Sequence, residues 1–336
     1  MSPKKLPPNI YDVAKASGVS ISTISRALNA PDKVNPETRR RVMVAIDKLG
    51  FVPKAEARAH AMKNTNRIGV LTPFFTAPSF VQRLRGVASA LSKANYELVI
   101  YPVDTMEHLQ GYISSIPIMR NIDGLIIMSL AVEEKDICRL LNHGMETVLI
   151  EYSNAQLSSI VIDEVEGGQM AGKYLLSKGH KKIAFLGDIE PPERYAIHPV
   201  KSRLQGFKHA LDDAGIPLPK KYIKQTGYTQ SVSQQAASEL LAQSQPPTAI
   251  FAAADIQAAS IIKVARQLNM RIPDDLAVIG FDDIDLAGYM DLTTIRQSLD
   301  ESGKLAGEIL LSRIMESNRL LQHVRLPLTM VERQTA

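Results

Sequence analysis

The stretch from Asn9 to Asn29, Asn-Ile-Tyr-Asp-Val-Ala-Lys-Ala-Ser-Gly-Val-Ser-Ile-Ser-Thr-Ile-Ser-Arg-Ala-Leu-Asn, constrains this chain most. It spells two short helices joined by a tight turn. Asn9 is a good N-cap, and Asp12 stands three residues on, where its carboxylate meets the positive end of the helix. Ile10, Val13 and Ala14 fall on one helical face. Gly18 follows the last periodic residue, where a left-handed backbone costs a glycine little. Ser20 caps the second helix, whose apolar stripe is Ile24, Ala27 and Leu28. Its other face carries Ser22, Ser25, Arg26 and Asn29. Such a short, polar, basic face suits a recognition helix in a DNA major groove, with hydroxyls near the N-terminus and an Arg able to fork onto a guanine edge.

A third helix begins with Asn35 as cap, Pro36 at the first helical position and Glu37 in the first turn. Its apolar positions Val42, Ala45, Ile46 and Leu49 would close a three-helix core. Charge placement agrees. Residues 1–63 hold 12 Lys and Arg against 5 Asp and Glu, whereas the other 273 residues hold 27 against 30. A basic head on a mildly acidic body is the footprint expected when only the head touches phosphate.

The pattern Asp12-Val13-Ala14, Gly18-Val19-Ser20, Ser22-Thr23-Ile24-Ser25-Arg26, Leu28-Asn29, Val34, Glu37-Thr38-Arg39, Val42, Ala45-Ile46 and Leu49-Gly50-Phe51-Val52-Pro53 resembles the head of the LacI/GalR family of bacterial transcription regulators. The resemblance implies base reading by Ile21, Ser22 and Arg26, and phosphate contacts from Ser20, Thr23 and Asn29. The head is expected over 1–52 and a hinge over 53–65. In the family, paired hinge helices enter the minor groove of the operator and a leucine wedges into the central base step. Ala55, Ala57 and Arg58 match that pattern, but the leucine position is His60 and Lys54 replaces the usual small or amide residue. His is a poorer apolar wedge than Leu. Two readings of His60 stand: a minor-groove contact, and a solvated helix residue paired with Glu56 at i,i+4.

From Arg67 onward, β-rich runs alternate with helical patterns. Candidate strands are 67–72, 97–101, 124–128, 147–150, 159–162, 183–187, 249–252, 276–281 and 294–297, with amphipathic stretches such as 80–95, 167–178, 202–214, 231–242 and 256–268 between them. Apolar strands alternating with helices imply parallel sheets covered on both faces, too many units for one sheet and natural for two. The fold class is therefore α plus α/β. The segments Ile68-Gly69-Val70, Asp123–Ile126, Gly179–Gly187, Arg203–Phe207, Pro247–Phe251, Ile279–Asp283 and Leu292–Gln297 resemble the family's regulatory domain, which is similar to periplasmic sugar-binding proteins. That implies an effector-binding and dimerisation domain over 66–336. Its first lobe would be about 66–162 plus 295–323, its second about 163–293 plus the tail, with three crossovers between them.

Open α/β sheets bind ligands at the carboxyl ends of their strands, so a cleft between two lobes is the expected site. By resemblance, Arg203 reaches into the cleft, although a surface salt bridge is its other reading, and Asp282 accepts ligand hydroxyls. Phe75 and Phe80 lie after the first strand, where aromatic faces stack on rings; for both, core packing is the alternative. Asp255 matches the family's Asn-Asp-x-x-Ala motif, but the asparagine is Ala254 here, and the aspartate usual after the first strand's proline is Phe74. Both losses point to a less polar or differently placed effector.

Enzymatic chemistry finds no support. Gly167–Tyr174 nearly spells a phosphate-binding loop, but Tyr174 stands where Ser or Thr must ligate Mg²⁺. The seven His show no His-Glu-x-x-His, and no Gly-x-Ser-x-Gly elbow appears. One cysteine, Cys138, excludes an intrachain disulfide framework. No catalytic residue, metal site or cofactor is expected. No signal peptide or membrane-length apolar run is visible, so a cytoplasmic protein is expected. The expected partners are double-stranded operator DNA, a small-molecule effector (a sugar or sugar derivative ahead of a purine) and a second copy of the chain. No heptad tetramerisation tail follows, hence a homodimer. The resulting expectation is a repressor of carbohydrate-related genes on a near-palindromic operator. The alternative is a solute-binding protein without a DNA role.

Overall fold

A computed structural model describes residues 8–29, 33–49, 51, 65–190, 195–227, 229–316 and 318–336. The chain divides into two compact units between Thr65 and Asn66.

The first unit holds α1 (Ile10–Ser17), α2 (Ile21–Asn29) and α3 (Pro36–Leu49). The start of α1 is fixed by a reciprocal cap: the Asn9 side chain accepts from the Tyr11 and Asp12 amides, and the Asp12 carboxylate accepts from the Asn9 amide at 2.8 Å. Such a box satisfies donors that a helix end otherwise leaves bare. Gly18 ends the helix at φ 67°, and its amide donates to Ala14 O at 2.9 Å. The Ser20 hydroxyl accepts from the Thr23 amide at 3.2 Å and opens α2. Asn35 caps α3 through the Glu37 amide at 2.9 Å. Val13, Ile24, Ala27, Val42, Ala45 and Ile46 close the core. Arg41 ties α3 to α1 by donating to Ser17 O at 2.7 Å.

The second unit contains β1 (Arg67–Thr72), α4 (Pro78–Lys93), β2 (Glu97–Pro102), α5 (Met106–Met119), β3 (Gly124–Met128), α6 (Glu134–Asn142), β4 (Glu146–Ile150) and β5 (Ser158–Val161). It continues with α7 (Glu164–Ser177), β6 (Ile183–Gly187), α8 (Val200–Asp213), β7 (Ile223–Gln225), α9 (Gln230–Leu241), β8 (Ala249–Ala252), α10 (Asp255–Gln267), β9 (Ala277–Asp282), α11 (Asp285–Tyr289) and β10 (Thr293–Arg296). Last come α12 (Leu299–Met315), β11 (His323–Arg325) and β12 (Thr329–Val331).

Two six-stranded sheets form, in the orders β11-β5-β4-β3-β1-β2 and β12-β10-β9-β8-β6-β7. All pairs are parallel except β10 with β12. The central strands are largely apolar and buried because helices cover both faces. The chain passes between sheets after β5, after β10 and after β11. Thr293–Arg296 belongs to the second sheet, so the second crossover begins at Gln297 rather than at residue 295. His323–Arg325 extends the first sheet and Thr329–Val331 the second; these three-residue strands carry too short a pattern to stand out in the sequence.

The lobes repeat one design. Each packs a helix carrying Arg-Leu-x-Gly (Arg83–Gly86 on α4, Arg203–Gly206 on α8) against one carrying Glu-x-Gly-x-x-Ala-Gly (Glu301–Gly307 on α12, Glu166–Gly172 on α7). A Cβ on Gly303 would lie 1.9 Å from Arg83 O, and one on Gly168 1.9 Å from Arg203 O. Only glycine permits such an approach. The run that imitates a phosphate-binding loop is therefore the interior of α7, with its glycines used for helix packing.

Candidate effector cleft and DNA-reading face

On the first unit, α2 turns Ile21, Ser22 and Arg26 outward while Ile24 and Ala27 enter the core. The Ser20 hydroxyl lies 2.8 Å from both the Ser22 and Thr23 hydroxyls, so the polar edge is assembled at the N-terminus of the helix. There the unpaired amides and the helix dipole favour an anion such as phosphate. Ala57, Arg58 and His60, and the side chain of Asn29, lie outside the described residues.

In the second unit, a cleft opens at the carboxyl ends of the strands of both sheets. Phe74, Phe80, Arg83 and Glu151 line it from the first lobe, and Arg203, Ala254, Gln257 and Asp282 from the second. Gln297, on the crossover after β10, also lines it. Several lining or adjacent residues have left-handed backbone: Phe74 (φ 45°), Ser129 (φ 55°), Glu151 (φ 66°), Asp282 (φ 116°) and Ser298 (φ 51°). Each such residue costs about 1–3 kcal/mol, and this strain collects where the strands end at the cleft.

The polar groups form one chain from lobe to lobe. Glu151 pairs with Arg83. Arg83 Nη2 donates to Gln297 Oε1 at 2.8 Å. Gln297 Nε2 donates to Asp282. Asp282 Oδ1 lies 3.7 Å from Arg203 Nη1. Arg203 Nε donates to Glu164 at 2.6 Å, and Nη1 donates to Ala253 O at 2.6 Å. Its guanidinium lies 3.7 Å from the centroid of Phe281. Phe281 itself belongs to a buried aromatic cluster with Phe185, Phe207 and Phe251. Fully burying one such ring stabilises by about 1.5–3 kcal/mol, so the platform under Arg203 is rigid.

Burial would raise the Glu151 pKa, but the Arg83 charge and the Ser129 hydroxyl outweigh it and hold the carboxyl below the usual range. Burial pushes Asp282 up to about 6 despite Arg203 and Arg83. Burial opposes the charge of Arg203, yet Glu164 and Asp282 raise its pKa above the ordinary arginine value.

Of the expected effector residues, Arg203, Asp282 and Phe80 line the cleft. Phe75 does not. It is 40% exposed, and its neighbour Phe74 takes the place because the left-handed turn at Phe74 reverses the direction of the loop. Phe74 packs edge-on against Phe80 at 6.1 Å. Asp255 is also corrected. It is 1% exposed and does not line the cleft; it accepts from the Ile284 amide at 2.9 Å and the Thr294 hydroxyl at 2.5 Å. Burial, then the charge of Asp282, raise its pKa well above the ordinary aspartate value. Asp255 therefore braces β9 and β10. Arg83, Glu151, Gln257 and Gln297 were not singled out by sequence, although Arg-Leu-x-Gly at Arg83 repeats the motif at Arg203 and was the signal available.

Outside the cleft, Arg85 spans the lobes, with Nη1 2.8 Å from Asp285 on α11 and Nη2 2.6 Å from Asp300 on α12. Among the described residues, no group of three or more His, Cys, Asp or Glu could hold a metal ion, and no helix is long and apolar enough to cross a membrane.

Residues 9–54 match the model of bacterial regulatory proteins of the lacI family, and residues 172–336 match the periplasmic binding protein-like domain. The chain is 32% identical to the HTH-type transcriptional repressor PurR of Erwinia tasmaniensis, over 97% of this chain and 96% of that protein. The chain belongs to the LacI family. Its similarity to the catabolite control protein A of Priestia megaterium is also 32%, over 90% of this chain and 91% of the relative. Among solved structures, a LacI family regulator from Enterococcus faecium with bound ribose is 31% identical, with a TM-score of 0.70 over 80% of this chain and 98% of that one. The regulator CelR in complex with cellobiose is 26% identical, with a TM-score of 0.70 over 98% of this chain and 100% of that one. A two-unit LacI family member of this kind is a ligand-responsive, DNA-binding transcription regulator.

Proposed function

We propose that this regulator is a cytoplasmic repressor that binds a near-palindromic operator as a homodimer, and that a sugar or sugar derivative in the cleft sets its operator affinity. The observation that carries the DNA side is the exposed edge of α2, where Ile21, Ser22 and Arg26 project from a buried three-helix core. These three read base edges, and Ser20, Thr23 and Asn29 contact phosphate. Two heads on one dimer match half-sites about one helical turn apart. Ala57, Arg58 and His60 belong to the hinge that approaches the minor groove.

The sugar assignment is supported by the cellobiose and ribose complexes of its structural relatives and by a cleft that joins polar donors and acceptors to Phe74 and Phe80. Arg203, Asp282 and Phe80 contact the effector. The ligand acts by binding one lobe arrangement better than the other, and its effect on operator affinity equals that difference.

Selection of random duplex DNA by the full-length protein tests the proposal. Enrichment of a two-fold symmetric site, bound more weakly as salt rises, is the expected result. Recovery of a single asymmetric half-site would contradict the dimer, and no enrichment with or without sugars would leave the solute-binding alternative.

A further inference from the structure

Two buried polar atoms on cleft-lining side chains have no protein partner among the described residues: Arg83 Nε, a donor on the first lobe, and Gln257 Oε1, an acceptor on the second. Both side chains line the cleft, and they are only 3% and 1% exposed. Buried polar atoms left unpaired are rare and costly, because they lose water without gaining a partner. Arg83 Nη2 is engaged by both Glu151 and Gln297. One open donor and one open acceptor therefore sit on cleft-lining side chains of opposite lobes.

The charges around them are already balanced toward the negative side. Arg83 and Arg203 supply two guanidinium groups, and Glu151, Asp282 and Glu164 supply three carboxylates in contact with them. No cation in this network lacks a carboxylate partner. An incoming phosphate or carboxylate would have to displace one of those carboxylates inside a buried site, where an uncompensated charge is costly.

We infer that the cleft takes an uncharged effector that presents an acceptor to Arg83 Nε and a hydroxyl or N–H donor to Gln257 Oε1, with an apolar face toward Phe74 and Phe80. Arg83 and Gln257 are thus the specificity-determining contacts, one from each lobe. This rests on the reading of the cleft as the effector site. A site built around an open acceptor discriminates strongly against ligands that lack the matching donor. Ala254 and Phe74 fit the same conclusion, since each puts carbon where a polar side chain would otherwise meet the ligand.

The test is a thermal-shift and calorimetric comparison of full-length protein with matched probes: D-ribose and D-ribose 5-phosphate, D-glucose, D-gluconate and D-glucose 6-phosphate, cellobiose, and hypoxanthine and inosine 5′-phosphate. Uncharged probes alone should stabilise the wild type. Gln257→Leu should weaken the best of them at least ten-fold while its own melting temperature is kept. Arg83→Lys, which retains a cation for Glu151 and removes the Nε donor, should weaken it similarly. Stabilisation by a phosphate or carboxylate probe, no shift with any probe, or wild-type affinity in Gln257→Leu would overturn the inference. Binding of hypoxanthine alone would uphold it while overturning the sugar assignment. Operator binding by the same preparations reports separately on the regulator reading.

Discussion

Gly168 on α7 and Arg203 on α8 meet where the two helices cross, and a Cβ on Gly168 would lie 1.9 Å from the Arg203 carbonyl oxygen. The same relationship links Gly303 on α12 with Arg83 on α4 in the other lobe, also at 1.9 Å. Each cleft arginine is therefore set in place by a glycine on the neighbouring helix. The side chains then reach the cleft from opposite sides and join through Gln297 and Asp282.

Gly168→Ala forces α7 and α8 apart, because the obstructing atom is backbone and cannot swing away. Overpacking of this kind destabilises by about 1–3 kcal/mol. Chemical denaturation should show that loss, and calorimetry should show weaker effector binding as Arg203 shifts. Unchanged stability would mean that the helix crossing is more plastic than its geometry implies.

Asp255 is buried beside the cleft, and burial together with the charge of Asp282 raises its pKa. Asp255→Asn should cost less than about 1 kcal/mol, since the amide can accept from Ile284 and donate to the Thr294 hydroxyl. Asp255→Ala leaves buried polar groups unpaired and should cost about 1–3 kcal/mol. If the Asn variant instead lost effector affinity at full stability, Asp255 would be a ligand contact.

Asp282 predicts a pH dependence of definite sign. Its pKa is about 6 in the folded protein against an ordinary aspartate value of 3.8, so between those values the native state holds a proton that the unfolded chain has released. Its contribution to stability is therefore greatest at low pH, falls as pH rises through this window, and is level above about pH 7. The stability of wild type relative to Asp282→Asn should fall by about 2 kcal/mol from pH 4 to pH 7, at 1.36 kcal/mol per unit. Glu151, whose pKa is lowered, contributes with the opposite sign and is present in both proteins. A difference that grew with pH would contradict the environment assigned to Asp282.

Arg26 projects from α2 without a role in the head's core. Arg26→Ala should leave the fold intact and relax base preference at one position of each half-site. A bidentate arginine is worth about 1–3 kcal/mol of discrimination. Full base preference in a selection with the variant would remove Arg26 from the reading face.

The head was legible because its caps are local. Asn9, Asp12, Gly18, Ser20 and Asn35 each act on a backbone within a few residues, and the structure finds each in that role. The parallel strands were legible as apolar runs. The cleft was read only in part. Arg203 and Asp282 stood in recognisable surroundings, but the loop residue that reaches the cleft depends on the left-handed turn at Phe74, which phenylalanine rarely signals. Arg83 and Glu151 sit within a helix and at a strand end, where charged residues are ordinarily solvated. They are buried by pairing with each other, a long-range meeting that no local pattern records. Only the repeat of Arg-Leu-x-Gly and Glu-x-Gly-x-x-Ala-Gly in both lobes carried that information in the sequence.

The most direct measurement is the operator affinity of the full-length protein, on its selected duplex, with and without a saturating cleft ligand. Fluorescence anisotropy should show a change of about 5- to 150-fold, the range of a coupling of about 1–3 kcal/mol. The operator should change the ligand's affinity by the same factor. Equal operator affinity with the cleft filled and empty would contradict the coupling of the two units on which this account rests.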